Sequence, residues 1–290
     1  MRLKSKITGL ISGLLAMPAF AEEGLEIIGQ PLADGIGFQP AATKLARDLQ
    51  WLDGMILIII TAITVFVLGL LAYVILRYNR KANPVPETFT HNSTVEVAWT
   101  VIPIVILVFI GAFSLPVLFD QQKIPEGEVN IKVTGNQWYW GYEYVDEGFE
   151  FDSFLIGDDK VLTPEVELEL QEAGYTRDQF LLATDTAVVV PVDKIVVMQV
   201  TGADVIHSWT IPAFGVKQDA VPGRLGQLWF KAEKEGIYFG QCSELCGKDH
   251  AYMPITVKVV SQDAYKAWLL AAKSEYAGTT QSYNLAEVSE

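Results

Sequence analysis

A chain of 290 residues with 35 acidic against 21 basic side chains carries a formal net charge of −14 at pH 7. That balance repels nucleic acid phosphates, so no nucleic acid is expected as a partner, and a basic protein is the natural one. Apolar residues make up 50% of the chain; they form long runs in its first part and short scattered ones later, which separates a membrane part from a soluble part.

The first element is "MRLKSKITGLISGLLAMPAFAEEG". Arg2, Lys4 and Lys6 precede an apolar run that ends at Ala19-Phe20-Ala21, an A-x-A pattern. Residues 1–21 therefore read as a signal peptide cleaved after Ala21. An uncleaved anchor fits less well, because the run holds about 14 residues against the roughly 20 that cross a bilayer. Cleavage leaves residues 22–54 as an N-terminal segment outside the membrane. Two uncharged stretches, residues 55–76 and 97–119, are long enough to span. Arg77, Arg80 and Lys81 open the loop between them, residues 77–96, and favour a cytoplasmic location. Lys44 and Arg47 weaken that bias, so the signal peptide decides: the N-terminus goes out, and an even number of crossings puts residues 120–290 outside too. Trp51, Tyr73, Tyr78 and Trp99 suit interfacial positions near the helix ends.

From Asp120 onward there are 27 acidic and 13 basic side chains, enough chain for one acidic soluble domain, placed at residues 120–262. "VNIKVTGNQWYWGYEY", "TAVVVPVDKIVVMQVTG", "VIHSWTIPAF", "LGQLWFKA", "GIYFGQ" and "MPITVKVV" read as strands, rich in Val, Ile and aromatics and punctuated by Gly, Pro and Asp. Such strands imply a β-sandwich or small barrel. An acidic, partly helical insertion lies near residues 157–185. Residues 263–290 form a C-terminal helix, started by Ser261 or Asp263, and a tail that looks frayed beyond Gly278.

Both cysteines of the chain fall in "GQCSELCGKDHAYM". Outside the cytoplasm a Cys242–Cys246 disulfide is possible, but closing three intervening residues removes little entropy from the unfolded chain. A redox dithiol is more usually spaced C-x-x-C. A metal site accounts for more residues at once, because thiolate, imidazole and thioether together select copper. Cys242, Cys246, His250 and Met253 supply such a set, and His207 adds a second imidazole from "ADVIHSWTIP". A single blue copper needs one thiolate; two can bridge two ions, which points to a dinuclear centre.

With two spans ahead of them, "GNQWYWGYEY", "VIHSWTIPAFGVKQDAVPGR" and "YFGQCSELCGKDHAYMPI" resemble subunit II of cytochrome c oxidase in its bacterial form. The resemblance implies a two-helix transmembrane hairpin followed by an all-β cupredoxin-like domain, in the inner membrane with both termini periplasmic. It implies a dinuclear copper (CuA) site with Cys242 and Cys246 bridging, His207 and His250 binding one copper each, and Met253 and the Glu244 carbonyl as weak axial ligands. The Glu244 side chain would reach a magnesium or manganese ion shared with subunit I. Trp138 is implied to take up electrons from cytochrome c. Gln137, Glu143, Asp152 and Asp204 would help dock that donor, and Glu96 would stand at the entrance of a proton path. Subunits I and III and membrane lipid are the remaining partners. The family often has His where Asn136 stands. A quinol oxidase subunit would lack the copper ligands, and nitrous oxide reductase would need a propeller domain. A membrane-anchored copper-binding or assembly protein is the alternative of a different class.

Overall fold

The computed structural model describes residues 24–157 and 159–276. The expected signal peptide and the tail beyond Gly278 lie outside them. A short strand, β1 (Ile27–Gly29), precedes two long helices, α1 (Lys44–Arg77) and α2 (Ser93–Gln122). Both extend past the apolar runs because polar caps start them early. The Thr43 side chain accepts from the Ala46 N–H at 3.0 Å, and the Asn92 side chain accepts from the Val95 N–H at 3.2 Å. At 1.5 Å per residue α1 is about 51 Å long, well beyond the ~30 Å of a hydrocarbon core, so its first turns are free to enter the domain that follows α2. They do so: Thr43 Oγ1 donates to the Phe214 carbonyl at 2.7 Å, and Leu45 and Ala46 are buried. Trp229 Nε1 donates to the Asp120 carbonyl at 3.2 Å and ties down the returning end of α2. Beyond these turns the helices expose Leu57, Phe66, Leu70, Ile102, Val108 and other apolar side chains, a surface that only lipid or protein can cover.

Ten strands and two shorter helices follow: β2 (Val129–Asn136), β3 (Tyr139–Tyr144), β4 (Phe149–Ser153), α3 (Pro164–Glu172), β5 (Val188–Pro191), β6 (Ile195–Gly202), β7 (His207–Ile211), β8 (Val216–Ala220), β9 (Gly226–Lys231), β10 (Gly236–Gln241), β11 (Pro254–Val260) and α4 (Gln262–Glu275). The short or polar strands β1, β4 and β8 lie outside the sequence expectation. β8, "VKQDA", carries too little apolar pattern to announce itself. One sheet runs β4-β3-β2-β6-β9, the other β1-β10-β11-β5, and β7-β8 forms a separate hairpin. The alternation of β2 and β3 drives Ile131, Val133, Trp140, Tyr142 and Tyr144 between the sheets, each at most 1% exposed. Each such side chain contributes about 1.5–3 kcal/mol by leaving water. The Tyr144 hydroxyl joins the sheets, donating to the Val189 carbonyl at 2.7 Å and accepting from the Val189 N–H at 3.0 Å.

β1 pairs in parallel with β10, so the segment before α1 and the domain after α2 share one side of the helical hairpin. The insertion is a structural layer rather than an appendage. Ile156, Leu170, Tyr175 and Ala183 form a second core with Ile237 and Phe239 of β10, while Tyr238, facing the other way, joins the main core. The central strand is thus covered on both faces.

Candidate metal centre

Two close backbone approaches assemble the centre. β10 crosses β7 at Gly240, where any Cβ would collide with the Thr210 carbonyl. That contact brings Cys242, the residue after β10, beside the first residue of β7, His207. The His207 ring packs on Gly135 of β2, whose absent Cβ would lie 2.9 Å from it. The ligand loop, residues 242–253, is closed at its base by the Gln241–Pro254 pair of β10 and β11. The Ser243 N–H pins it to the Ser208 carbonyl at 3.0 Å.

Within this frame the expected ligands converge. Cys242 Sγ lies 3.8 Å from Cys246 Sγ and 3.9 Å from His207 Nδ1; Cys246 Sγ lies 3.5 Å from both His250 Nδ1 and Met253 Sδ. The sulfurs are far beyond the ~2.05 Å of a disulfide, so the pair is a dithiol. Donor atoms of His207, Cys242 and Cys246 all fall within 4.8 Å of one another. The Glu244 carbonyl is 3.3 Å from Cys242 Sγ, whereas its side chain is exposed. Cys242, Cys246 and Met253 are at most 3% exposed and His207 is fully buried. Two buried thiols, a buried thioether and a buried imidazole, with the half-buried His250 and the Glu244 carbonyl beside them, have the soft donor chemistry that copper takes. The residues fit the metal that the sequence led us to expect.

Ionisation of the free dithiol is uneven. Burial opposes the Cys242 thiolate, yet His207 and backbone groups of Glu244 and Ser208 bond to it and bring its pKa below the usual thiol value. Burial pushes Cys246 up, and the neighbouring Cys242 charge pushes it further. If Cys246 binds metal, its proton would have to leave.

Supporting contacts reach beyond the ligands. His207 Nε2 is 2.8 Å from Asp204 Oδ1, which leaves Nδ1 turned to the sulfurs. Burial works against charge on both partners but is outweighed: His207 and the Val205 and Gln137 N–H groups hold the carboxyl below its ordinary pKa, and Cys242 together with Asp204 holds the imidazole above. Asp204 Oδ2 also accepts from the Gln137 N–H at 2.8 Å. The Asp204 carboxylate, expected to help dock the electron donor, also engages His207 and the loop before Trp138. Gln137 Nε2 and Trp138 Nε1 donate to the Cys246 carbonyl at 2.8 and 3.3 Å, so the tryptophan touches the ligand loop directly. Glu143 pairs with Lys132 at 2.9 Å, and Asp152 is exposed opposite Gly141 on the outer face of the same sheet. Asn136 donates to the Thr134 carbonyl at 3.2 Å. Glu96 is remote: it lies in the first turn of α2, about 39 Å of helix from the domain, where its carboxylate accepts from the Asn92 N–H at 3.2 Å.

Trp140, missed in the sequence, donates to the Met253 carbonyl at 3.1 Å and holds the thioether residue in place. Its alternation with Tyr142 and Tyr144 marks it as core, but nothing local marks its partner.

A two-helix membrane anchor bearing a two-sheet β-domain with this cluster at one end defines a membrane-bound cupredoxin-like metalloprotein. The families described as "Cytochrome C oxidase subunit II, periplasmic domain" and "Cytochrome C oxidase subunit II, transmembrane domain" match residues 129–260 and 31–117. Cytochrome c oxidase subunit 2 of Cereibacter sphaeroides is 64% identical over 283 residues, 94% of this chain and 93% of that protein; the subunit of Oenothera berteroana is 41% identical over 81% of this chain and 88% of its own. A solved periplasmic domain of subunit II from Bradyrhizobium japonicum is 48% identical over 53% of this chain and 99% of its own, with a TM-score of 0.45. The chain belongs to the cytochrome c oxidase subunit II family, and so is a membrane-anchored, electron-accepting subunit of an oxidoreductase complex whose oxygen chemistry resides in subunit I.

Proposed function

We propose that this chain takes up electrons from a basic cytochrome c on the outer face of its domain and delivers them to subunit I, in a proton-pumping complex completed by subunit III. The observation that carries the reading is the continuous donor set from His207 through Cys242 and Cys246 to His250 and Met253. Cys242, Cys246, His207, His250, Met253 and the Glu244 carbonyl would together hold two copper ions. Copper bound there would supply a one-electron carrier. The protein's part is to hold the ligands in place and dry, which burial, the Asp204 and Trp140 contacts and the closed loop base all support.

The domain's acidity supports a basic donor, and the contact of Trp138 with the Cys246 carbonyl supports that ring as the point of uptake. Gln137 is exposed beside it, and Glu143 and Asp152 lie on the adjoining sheet face. The exposed Glu244 carboxylate is proposed to meet magnesium or manganese at the subunit I boundary. A cleaved signal peptide, a periplasmic domain and the inner membrane are part of the same proposal, supported by the shared side of β1 and the domain and by Arg77, Arg80 and Lys81 in the hairpin loop. The domain limits expected from sequence stand on the same footing.

The test is copper content in the complex purified from membranes. Two copper ions per chain with one spin shared by both nuclei are expected, together with manganese that disappears on Glu244→Gln. One copper or none would favour the copper-carrier alternative, and manganese retained by the variant would end the Glu244 assignment.

Glu96 is proposed as the entrance of a proton path; its position at the end of α2 away from the domain supports this, although its bond to Asn92 also makes it a helix-start residue. Glu96→Gln should slow turnover several-fold at proton-requiring steps while copper reduction by cytochrome c stays near normal. Equal loss in both measurements would show that the residue serves folding or assembly alone.

A further inference from the structure

The insertion near residues 157–185 has a structural role but no part in the chemistry so far, yet one of its side chains reaches the ligand loop. Lys160 sits in a turn closed by its own N–H on the Gly157 carbonyl at 2.9 Å. Ile156, just before that turn, is 1% exposed in the second core with Leu170 and Phe239. The base of the lysine is therefore anchored independently of the ligand loop. Its ammonium pairs with the Asp249 carboxylate and lies 4.7 Å from the centre of the Tyr252 ring. Asp249 and Tyr252 bracket His250, and their backbones close the same turn, the Tyr252 N–H donating to the Asp249 carbonyl at 2.8 Å. The competing cation, Lys248, is 76% exposed and 3.8 Å from Asp249, whereas the Lys160 and Asp249 side chains are 30% and 21% exposed. The sheltered contact dominates.

We propose that Lys160 is a positioning residue for the copper centre, through which the insertion braces the turn carrying His250 and Met253 toward Cys246 before metal binds. The brace rests on the copper reading given above. Without it, the 242–253 loop is still held at its base, at Ser243 and at the Cys246 and Met253 carbonyls, but the 249–252 turn that carries His250 loses its pairing with the insertion, and ordering that turn on metal binding weakens the binding.

The test uses the assembled oxidase with Lys160→Met, which keeps the alkyl stem and removes the charge, and with Lys160→Arg, which keeps the charge. Copper loss to a chelator should be about five-fold faster for the Met variant, on the scale of a partly sheltered ion pair, with altered copper hyperfine splitting and a shifted reduction potential. Arg should restore all three. Asp249→Asn should reproduce the Met variant, and the double variant should go no further than either single one, because both remove the same contact. Copper retention, spectrum and potential identical to the parent in Lys160→Met, or effects of the two singles that simply add, overturn the proposal. Should Lys160→Met fail to assemble, Asp249→Asn decides by the same readings. A parent complex without two copper ions would instead sink the copper reading, so the two failures are distinguishable.

Discussion

Serine in place of Cys242 or Cys246 is expected to abolish the two-copper spectrum and to lower electron uptake by more than about 100-fold, above the loss typical of merely supporting residues at a metal site. A hydroxyl is a poor bridging donor for copper, and each sulfur stands at the junction of several contacts. Cys242 Sγ faces His207 and the Glu244 carbonyl; Cys246 Sγ faces His250 and Met253. On the proposed assignment, loss of either would leave two ions with a single thiolate. The Cys246 carbonyl receives Gln137 and Trp138, so its backbone contacts survive the substitution while its bridging does not. Copper quantification with electron paramagnetic resonance on the purified complex decides; a serine variant retaining the full shared-spin signal would refute the ligand assignment.

Trp138→Gln is expected to slow electron uptake within the bound complex by about two orders of magnitude, the scale on which loss of close positioning between reacting partners is felt. The ring packs against Gly247, donates to the Cys246 carbonyl at 3.3 Å and lies 5.3 Å from Lys248 Nζ, yet remains partly exposed: it joins solvent to the ligand loop. Charge is unchanged by the substitution, so affinity for cytochrome c and its salt dependence should hold. The acidic residues should behave in the opposite manner. Neutralising Glu143 or Asp152 should lower the association rate and flatten its salt dependence, since screening over roughly 8–10 Å already removes most steering at physiological ionic strength, and leave the copper spectrum intact. Glu143 should have the smaller effect because Lys132 already balances it. Asp204→Asn should do both, slowing association and disturbing the spectrum through His207. Rapid-mixing reduction at several ionic strengths, with binding measured separately, separates these effects. Weakened binding with an intact bound-state rate in Trp138→Gln would reduce the tryptophan to a contact residue.

What the sequence alone determined is what local pattern encodes. Uncharged runs longer than a bilayer mark the two spans, alternation in "VNIKVTGN" and "YWGYEY" marks half-buried strands, and the cluster C-x-x-x-C-x-x-x-H-x-x-M confines four of the side-chain ligands to one loop. His207, far upstream, was legible through the requirement for a second imidazole and through family resemblance, not through spacing. The tertiary structure decided contacts between residues whose separation in the chain has no periodic signature. β1, a three-residue strand with no pattern of its own, is fixed by pairing with β10 more than two hundred residues later. The insertion reads as a polar appendage until its few apolar side chains meet Ile237 and Phe239. Asp204 is one exposed acid among many by composition, and only the turn into β7 sets its carboxylate on His207. Trp140 on Met253 and Lys160 on Asp249 are of the same kind. Ligand identity is a property of residue type, which a sequence displays; the geometry that holds ligands ready depends on which distant strands and loops pack together, and that is set by burial of the whole domain.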